Sequence, residues 1–419
     1  MNPPRYNFLK ALITLLLVSK MMCATAQTNK DLNFYISTAT ENSPLLKDLS
    51  NQLLINRLDS AIIKANYKLH TGVNSTGTYA PIIHGFGYDD ALSNGQSFSA
   101  LYTVNQALFG KNRINNQVSA LKLLSDSVSS TIKISRQDLK RNIISQYIAA
   151  YSSQQQNQFD KKVYELLKDQ EVILKQLTRK SIYKQSDYLA FLVTVQQQEL
   201  QMRQNHITYL NDVATLNYLS GITGVDSIVL SEPIMNVALA GQINQSIFLK
   251  QYSIDSLRIL NGRKAIALNY QPQVGVYADA GYNSSFINKP YKNLGTSFGF
   301  TVSVPLYDGH QRKLQEQKLD IAEQNRMYYR DFFIKQYNQQ LVQLKQQLHE
   351  TETLFKKIDE QIKFTEGLIQ VDGKLLQTGD ITISDYLLAI RNYLDTQNTL
   401  RQTRIARLEL INQLNFRTQ

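Results

Sequence analysis

One short stretch matches the pattern of a catalytic serine. The run Gly295-Thr296-Ser297-Phe298-Gly299 has the G-x-S-x-G spacing of the nucleophile elbow in serine hydrolases. That elbow joins a strand to a helix, so that the hydroxyl is exposed on a sharp turn. Here the serine lies inside a segment in which apolar and small residues alternate, which is typical of the interior of a strand. We therefore expect no hydrolase activity.

The sequence lacks the residue patterns that metal binding and thiol chemistry usually require. The five histidines are dispersed without the spacing of zinc ligands, and no glycine-rich phosphate loop is present. The single cysteine, Cys23, lies in an N-terminal leader. We predict that the protein is not an enzyme and that it binds no metal and no cofactor. The histidines are His70, His84, His206, His310 and His349.

The N-terminal residues have the features of a secretory signal peptide. Arg5 and Lys10 accompany the short apolar run 11–18, and residues 24–26 form a small-residue cleavage site. The apolar run is too short to span a bilayer as a helix. We expect the leader to be removed and the protein to be exported. Lipidation of Cys23 is the competing interpretation.

Charge and hydropathy narrow the class of protein. The net charge is +11, but Lys and Arg are scattered at helical spacing, which indicates solvated helix faces rather than a nucleic-acid partner. No run of about 20 apolar residues follows the leader, which excludes a helical membrane protein. A β-barrel stays open as an interpretation, because its strands are short and only half apolar.

The chain contains an internal duplication. Ser-Asp-Tyr-Leu occurs at 186–189 and again at 384–387, and residues 45–79 match 248–282 without a gap. Self-similarity over such a distance predicts a tandem structural repeat.

The repeat predicts that the chain is divided into four parts. We predict a signal peptide at 1–26, a first repeat at 27–222, a linker or equatorial segment at 223–244 and a second repeat at 245–419. Each repeat should contain a short helix, two strands, and a long helix joined by a turn to a return helix.

The long helices are predicted from missing helix breakers. Neither Gly nor Pro occurs between Gly110 and Gly221, and no Pro follows Gly309. Apolar residues such as Leu341 and Leu344 recur in steps of three or four, which gives each helix a narrow apolar stripe. Such helices must pack side by side, as they do in coiled coils.

The strands are predicted from strict alternation. In 272–282 and 296–304, apolar residues alternate with small or polar ones, as in a membrane barrel with a wet lumen. Four strands cannot close a barrel, and open edges are not tolerated in lipid, so the chain must oligomerise. The positions predicted to face outer-membrane lipid are Phe98, Tyr102, Val274, Val276, Phe298, Phe300 and Val302.

This combination resembles the TolC-like outer membrane factor family, also called outer membrane efflux proteins. The resemblance covers residues 42–419 and is carried by the repeat, the strand-to-helix turns at 108–110 and 305–309, and the Ser-Asp-Tyr-Leu pairs. It implies a mixed α+β membrane protein, a homotrimer whose outer-membrane β-barrel continues into an α-helical tunnel in the periplasm.

The resemblance also implies function and partners. Such trimers are the passive exit ducts of tripartite efflux pumps or type I secretion systems, in the cell outer membrane. A periplasmic adaptor (membrane fusion) protein docks on the tunnel tip, and an inner-membrane transporter of the RND or ABC type supplies the energy. The alternative is an exported coiled-coil scaffold or adhesin without a pore, which would not need the strand alternation.

By resemblance, Asp385 lies at the periplasmic entrance of the tunnel, where Leu388 replaces a second aspartate found in relatives. The tyrosine and arginine that hold the entrance closed in well-known members correspond to Leu376 and Ile381, so that latch is not carried over. Serine before an acidic residue is also good helix-capping chemistry, which is the competing interpretation of both copies. The residues predicted at the tunnel-tip turns are Ser186, Asp187, Gly379 and Ser384.

Overall fold

A computed structural model of the chain describes residues 30–89, 95–108, 110–224, 229–238, 246–285 and 289–418. The predicted signal peptide, Cys23 and part of the predicted linker lie outside these ranges. Within the described ranges, no helix combines the length and the apolar character that a bilayer crossing requires.

The first half of the chain begins with a helix that the sequence did not predict. Helix α1 (Leu32–Asn42) is capped by the Asp31 carboxylate, which accepts a hydrogen bond from the Phe34 amide at 2.9 Å. Its buried residues are Tyr35 and Ala39. The elements that follow are α2 (Pro44–Asn66), β1 (His70–Tyr79), β2 (Gln96–Leu108), α3 (Lys111–Arg179) and α4 (Gln185–Ser220).

The second half has the same order of elements. A short helix, two strands, a long helix and a return helix occur in both halves. The boundaries of the repeats and of the linker remain predictions. The elements of the second half are α5 (Ile247–Asn269), β3 (Gln273–Ser284), β4 (Leu294–Ser303), α6 (Gln311–Thr378) and α7 (Ile383–Arg417), with a 3₁₀ turn at Pro290–Lys292 before β4.

The four strands form one open antiparallel sheet in the order β1-β2-β3-β4. The central pair joins the two halves of the chain, because β2 comes from the first half and β3 from the second. At this seam Gly281 lies so close to β2 that an added Cβ atom would be 2.1 Å from the Ala100 carbonyl oxygen. Only glycine fits there without moving the backbone.

The chain divides into two compact units. One comprises Met1–Ser43, Leu139–Val237 and Leu344–Phe416, and we call it the helical unit. The other comprises Pro44–Asp138, Ala238–Gln343 and Arg417–Gln419, and we call it the sheet unit because it contains all four strands.

The helical unit has a core where its two helical hairpins turn. The α3–α4 hairpin contributes Tyr188 and Phe191, and the α6–α7 hairpin contributes Leu376 and Tyr386. A second core lies under α1, where the Tyr35 and Tyr147 rings meet edge to face at 5.8 Å. The narrow stripes that the sequence predicts therefore pack side by side at these two places.

Both hairpins end their first helix with the same hydrogen-bond pattern. The amides of Gly379 and Asp380 donate to the carbonyls of Leu376 and Leu375 at 3.3 and 2.9 Å, which is the Schellman motif. Gly379 adopts the left-handed conformation that this motif requires, with φ +83°.

In the first hairpin the same motif contains a serine. The amides of Ser181 and Ile182 donate to the carbonyls of Thr178 and Leu177 at 2.9 and 3.0 Å. Ser181 has φ +61°, a conformation that is unfavourable for any residue with a Cβ atom. The first turn is therefore more strained than the second.

We predict that Ser181→Gly stabilises the first turn by about 0.5–1 kcal/mol, because it removes the left-handed strain at the cost of some chain entropy. The reciprocal change Gly379→Ser should cost about 1–2 kcal/mol, since its Cβ would also lie 3.0 Å from the Ile182 Cγ2 atom. Native-state amide hydrogen exchange at both turns measures the two effects. Faster exchange at residues 181–183 in Ser181→Gly would contradict this interpretation.

Candidate functional site

The strand register places all seven predicted apolar positions on one face of the sheet. Directly paired residues in antiparallel strands share a face, and residues two apart along one strand share it as well. Phe98 pairs with Ser284, Tyr102 with Ala280, Phe298 with Ala278, Phe300 with Val276 and Val302 with Val274. We call this the apolar sheet face.

The apolar sheet face is open in the single chain. Phe298 is 90 % exposed and Phe300 is 74 % exposed. Large contiguous apolar patches are unusual on soluble monomers and mark a surface that contacts lipid or another protein.

The opposite face of the sheet carries mainly small and polar residues, with Leu101 and Tyr277 as larger exceptions. Ser297, the serine of the G-x-S-x-G stretch, donates its hydroxyl proton to the Asp279 carboxylate at 2.8 Å across the β3–β4 pair. It lies in the middle of β4 rather than on a strand-to-helix turn. The Tyr277 ring lies beside the neighbouring Gly299, in space that a Cβ atom would occupy.

A tyrosine joins the two hairpin turns of the helical unit. The Tyr183 hydroxyl contacts the carbonyl oxygens of Leu376 and Ile381 at 2.8 and 2.9 Å, so its proton is shared between two acceptors. Burial, followed by the negative charge of Asp380, raises the pKa of Tyr183 above its ordinary value. The hydroxyl therefore stays protonated and remains a donor.

Asp385 lies in the first turn of α7 and belongs to a reciprocal capping box. Its carboxylate accepts from the Thr382 hydroxyl at 2.6 Å and from the Thr382 amide at 3.2 Å, while the Asp385 amide donates back to the Thr382 hydroxyl at 3.1 Å. The Thr382 hydroxyl and then its amide lower the pKa of Asp385. The carboxylate is exposed and stays ionised to lower pH than an ordinary aspartate.

The competing interpretation, in which the two serines cap their helices, does not agree with the structure. Helix α7 is capped by Thr382, two residues before Ser384. Helix α4 begins at Gln185, with Lys184 at its N-cap and no side-chain capping bond, so Ser186 is already inside the helix. Lys184 occupies the place that Thr382 has in the second hairpin, and an ammonium group cannot accept a hydrogen bond.

Asp187 occupies the corresponding place in the first turn of α4. Its carboxylate accepts from the neighbouring Ser186 hydroxyl at 3.2 Å, and its amide donates to the Lys184 carbonyl at the same distance. The structure thus places Asp187 and Asp385 in the first helical turn of each return helix. Gly379 lies in the loop that joins the two helices of the second hairpin. Only Asp385 belongs to a capping box.

The buried part of the Ser-Asp-Tyr-Leu motif is its tyrosine. Tyr386 is 1 % exposed and Tyr188 is 9 % exposed, and both belong to the core at the hairpin turns. Burial, reinforced by the charge of Asp372, raises the pKa of Tyr386 to about 12. The motif therefore recurs because its tyrosine packs in the core at the hairpin turns, as well as because it lies at the start of a return helix.

Sequence reasoning missed Tyr183 and Thr382. Thr382 had a recognisable signal, because Thr-x-x-Asp before an apolar run is a form of the capping-box pattern. Tyr183 had none, since its two acceptors are backbone groups almost two hundred positions away. Among the described residues, no group of three or more His, Cys, Asp or Glu side chains could hold a metal ion.

Comparison with solved structures identifies the fold. The chain resembles CusC, described in a study of conformational changes that accompany folding and transmembrane channel formation, with a TM-score of 0.77, 12% identity, and coverage of 93% of this chain and 92% of that one. It resembles the outer membrane protein VceC of Vibrio cholerae with a TM-score of 0.73, 14% identity, and coverage of 92% and 96%.

A third neighbour is the open state of the MtrE outer membrane channel of Neisseria gonorrhoeae, with a TM-score of 0.74, 12% identity, and coverage of 92% and 88%. No protein-family profile and no curated protein matches the sequence. The chain therefore has the fold of outer membrane channels. The resemblance to TolC-like outer membrane factors is confirmed at the level of the fold.

We predict that arginine substitutions distinguish the two faces of the sheet. If the apolar sheet face contacts lipid, Phe300→Arg or Val302→Arg should destabilise the protein by about 2–4 kcal/mol, because the charge would enter an apolar surround. Thr301→Arg, on the opposite face, should cost clearly less. Urea-induced unfolding in phospholipid bilayers measures the difference, and equal losses for all three variants would contradict the assignment of faces.

Proposed function

We propose that this protein is an outer-membrane exit duct that passively conducts substrates out of the cell. The observation that carries the proposal is the exposed apolar face of an open four-stranded sheet, on a chain with the fold of outer membrane channels. The duct serves a tripartite efflux pump or a type I secretion system, and it performs no catalysis.

The duct is a homotrimer. The sheet ends at β1 and β4, and strand edges in lipid must pair with another strand. Closure into a β-barrel needs strands from further copies of the chain, with the apolar sheet face turned to the lipid. Side chains of α2 support this assembly, because Leu54, Leu58 and Ile62 are exposed at four-residue spacing and form a stripe that a neighbouring helix could cover.

The hairpin turns of the helical unit form the periplasmic end of the duct. There a periplasmic adaptor docks and an inner-membrane transporter, of the RND or ABC type, supplies the energy. Ser186, Asp187, Gly379 and Ser384 belong to these turns, and Asp385 belongs to the entrance. The Tyr183 hydroxyl holds the two turns of each subunit together, at positions 376 and 381 that would carry the family's latch residues.

A pore-free scaffold or adhesin fits the structure less well. Long helices that pack side by side would serve such a protein, but it has no use for a sheet whose two faces differ so strongly in polarity. The sheet face therefore favours the duct over the scaffold.

We expect the purified protein to form trimers by light scattering and to produce discrete conductance steps in a planar bilayer. Phe300→Arg, which should destabilise the inserted protein, is the comparison variant and should give fewer conductance steps, whereas Thr301→Arg should retain conductance. A folded monomer without conductance would refute the proposed duct.

A second prediction concerns Asp385 at the entrance. Three carboxylates around a narrow mouth attract multivalent cations, because their fields add in a low-dielectric wall. A trivalent cation should therefore block the current, and Asp385→Asn should weaken the block while keeping an oxygen that can accept from Thr382. Because the pKa of Asp385 is lowered, the block should persist in mildly acidic solution and disappear only when the pH falls through that lowered value.

The matched controls separate charge from helix capping. Thr382→Ala removes the capping hydroxyl but keeps the carboxylate, so the block should persist. Asp187→Asn should change the block less than Asp385→Asn does. An unchanged block in Asp385→Asn would leave capping as the whole role of this residue.

A further inference from the structure

A groove in the helical unit has a composition that the duct function does not require. Its walls come from residues 148–162 of α3, 349–356 of α6 and 397–408 of α7, together with Glu232. Its volume is about 870 Å³, which lies within the range of small-molecule sites. We call it the basic groove.

Cations outnumber carboxylates in the basic groove. Glu352 is engaged by Arg407 at 3.4 Å, and Glu232 is the other carboxylate. Within the described part of the chain, the remaining cations of the groove form no ion pair. These are Lys162, Lys356, Arg401 and Arg404.

Among the cations of the basic groove, Arg401 is the one with a buried N–H group that lacks a hydrogen-bond partner in the described structure. Its Nη1 atom donates to the Ser152 hydroxyl at 3.2 Å, and its Nη2 atom donates to the Asn398 side-chain oxygen. Its Nε atom is buried and has no acceptor among the described residues. Both acceptors are neutral, so the charge of the half-buried guanidinium has no direct counter-ion. Burial accordingly lowers the pKa of Arg401, with the more distant Asp160 acting in the opposite direction.

Asp160 does not neutralise Arg401 directly. The carboxylate of Asp160 is buried and accepts hydrogen bonds from the side-chain amides of Gln156 at 2.6 Å and Asn205 at 2.5 Å. It forms no ion pair with Arg401 in the described structure. The Arg401 guanidinium therefore has no carboxylate partner within ion-pair distance among the described residues.

Aromatic side chains form the other part of the groove. The Arg404 guanidinium lies 5.6 Å from the centre of the Phe355 ring, and Tyr151 and Phe159 also line the walls. Arg401 and Arg404 are three positions apart on α7, so their side chains lie on the same face of the helix. Two guanidinium groups beside aromatic walls suit a planar anionic group that is attached to a ring.

We propose that the basic groove binds a small organic anion in which a carboxylate or sulfonate is joined to an aromatic ring. The anionic group pairs with Arg401 and Arg404, and the ring packs against Phe355. This site is independent of conduction, so its failure would leave the proposed duct untouched, and the reverse also holds.

The test uses two naphthalene probes of opposite charge with the full-length protein in a non-ionic detergent. Calorimetric titration should show binding of naphthalene-2-sulfonate and no comparable binding of 2-naphthylmethylammonium. Arg404→Gln should weaken sulfonate binding about tenfold, because a charge-assisted hydrogen bond is lost. Arg401→Gln should weaken it at least as much.

Arg391→Gln is the matched control, because Arg391 is exposed on the same helix and does not line the groove. It should leave binding unchanged. Arg404 is exposed as well, so Arg404→Gln keeps the test valid even if Arg401→Gln fails to fold. Equal binding of the two probes, equal binding by all variants, or no sulfonate binding at millimolar concentration would each overturn the proposal. The last result is expected if a second copy of the chain covers the groove.

Discussion

Backbone polar groups must find partners wherever water is absent, and this requirement governs the sheet unit. Every strand of the sheet is paired on its inner side, but the sheet has two outer edges, at β1 and β4. In an apolar surround such edges carry a large energetic cost, so the sheet is stable there only when another strand pairs with them. The exposed apolar face is likewise favourable only against lipid or another protein. The unpaired strand edges and the exposed apolar face therefore lead to the same conclusion. Both are unfavourable for a single chain in water, so both need to be covered.

In the helical unit the corresponding requirement falls on the ends of the helices. The last carbonyls and the first amides of each helix lack partners within the helix. Both hairpins satisfy the carbonyls with Schellman motifs, but only α7 satisfies its amides with a side-chain capping box. Lys184 leaves α4 without one. The two hairpins thus have similar backbones and differ in how firmly their turns are held.

The sequence was sufficient to predict element types and faces, because these depend on local periodicity. The alternation at 296–304 and the absence of helix breakers after Gly110 each carry their own signal. Helix α1 was missed because it is short and rich in residues of low helix propensity, such as Ser, Thr, Asn, Phe and Tyr, and it is held by burial of Tyr35 among distant elements. The role of Tyr183 could not be predicted either, because its partners are backbone carbonyls in the other half of the chain. The groove beside Arg401 likewise depends on residues of α3 in the first half of the chain and of α6 and α7 in the second half.

The seam between β2 and β3 has a consequence for the history of the molecule. Gly281 leaves no room for a side chain against the β2 backbone, whereas Thr78, which matches it in the first repeat, lies on the edge strand β1. If one ancestral unit was duplicated and fused, its two copies have since come under different selection at this position. The position inside the fused chain accepts only glycine, while its twin at the outer edge tolerates a side chain. Substitution is therefore unfavourable at the copy on β3, whereas the copy on β1 already carries a threonine, so two halves with the same architecture need not keep the same sequence.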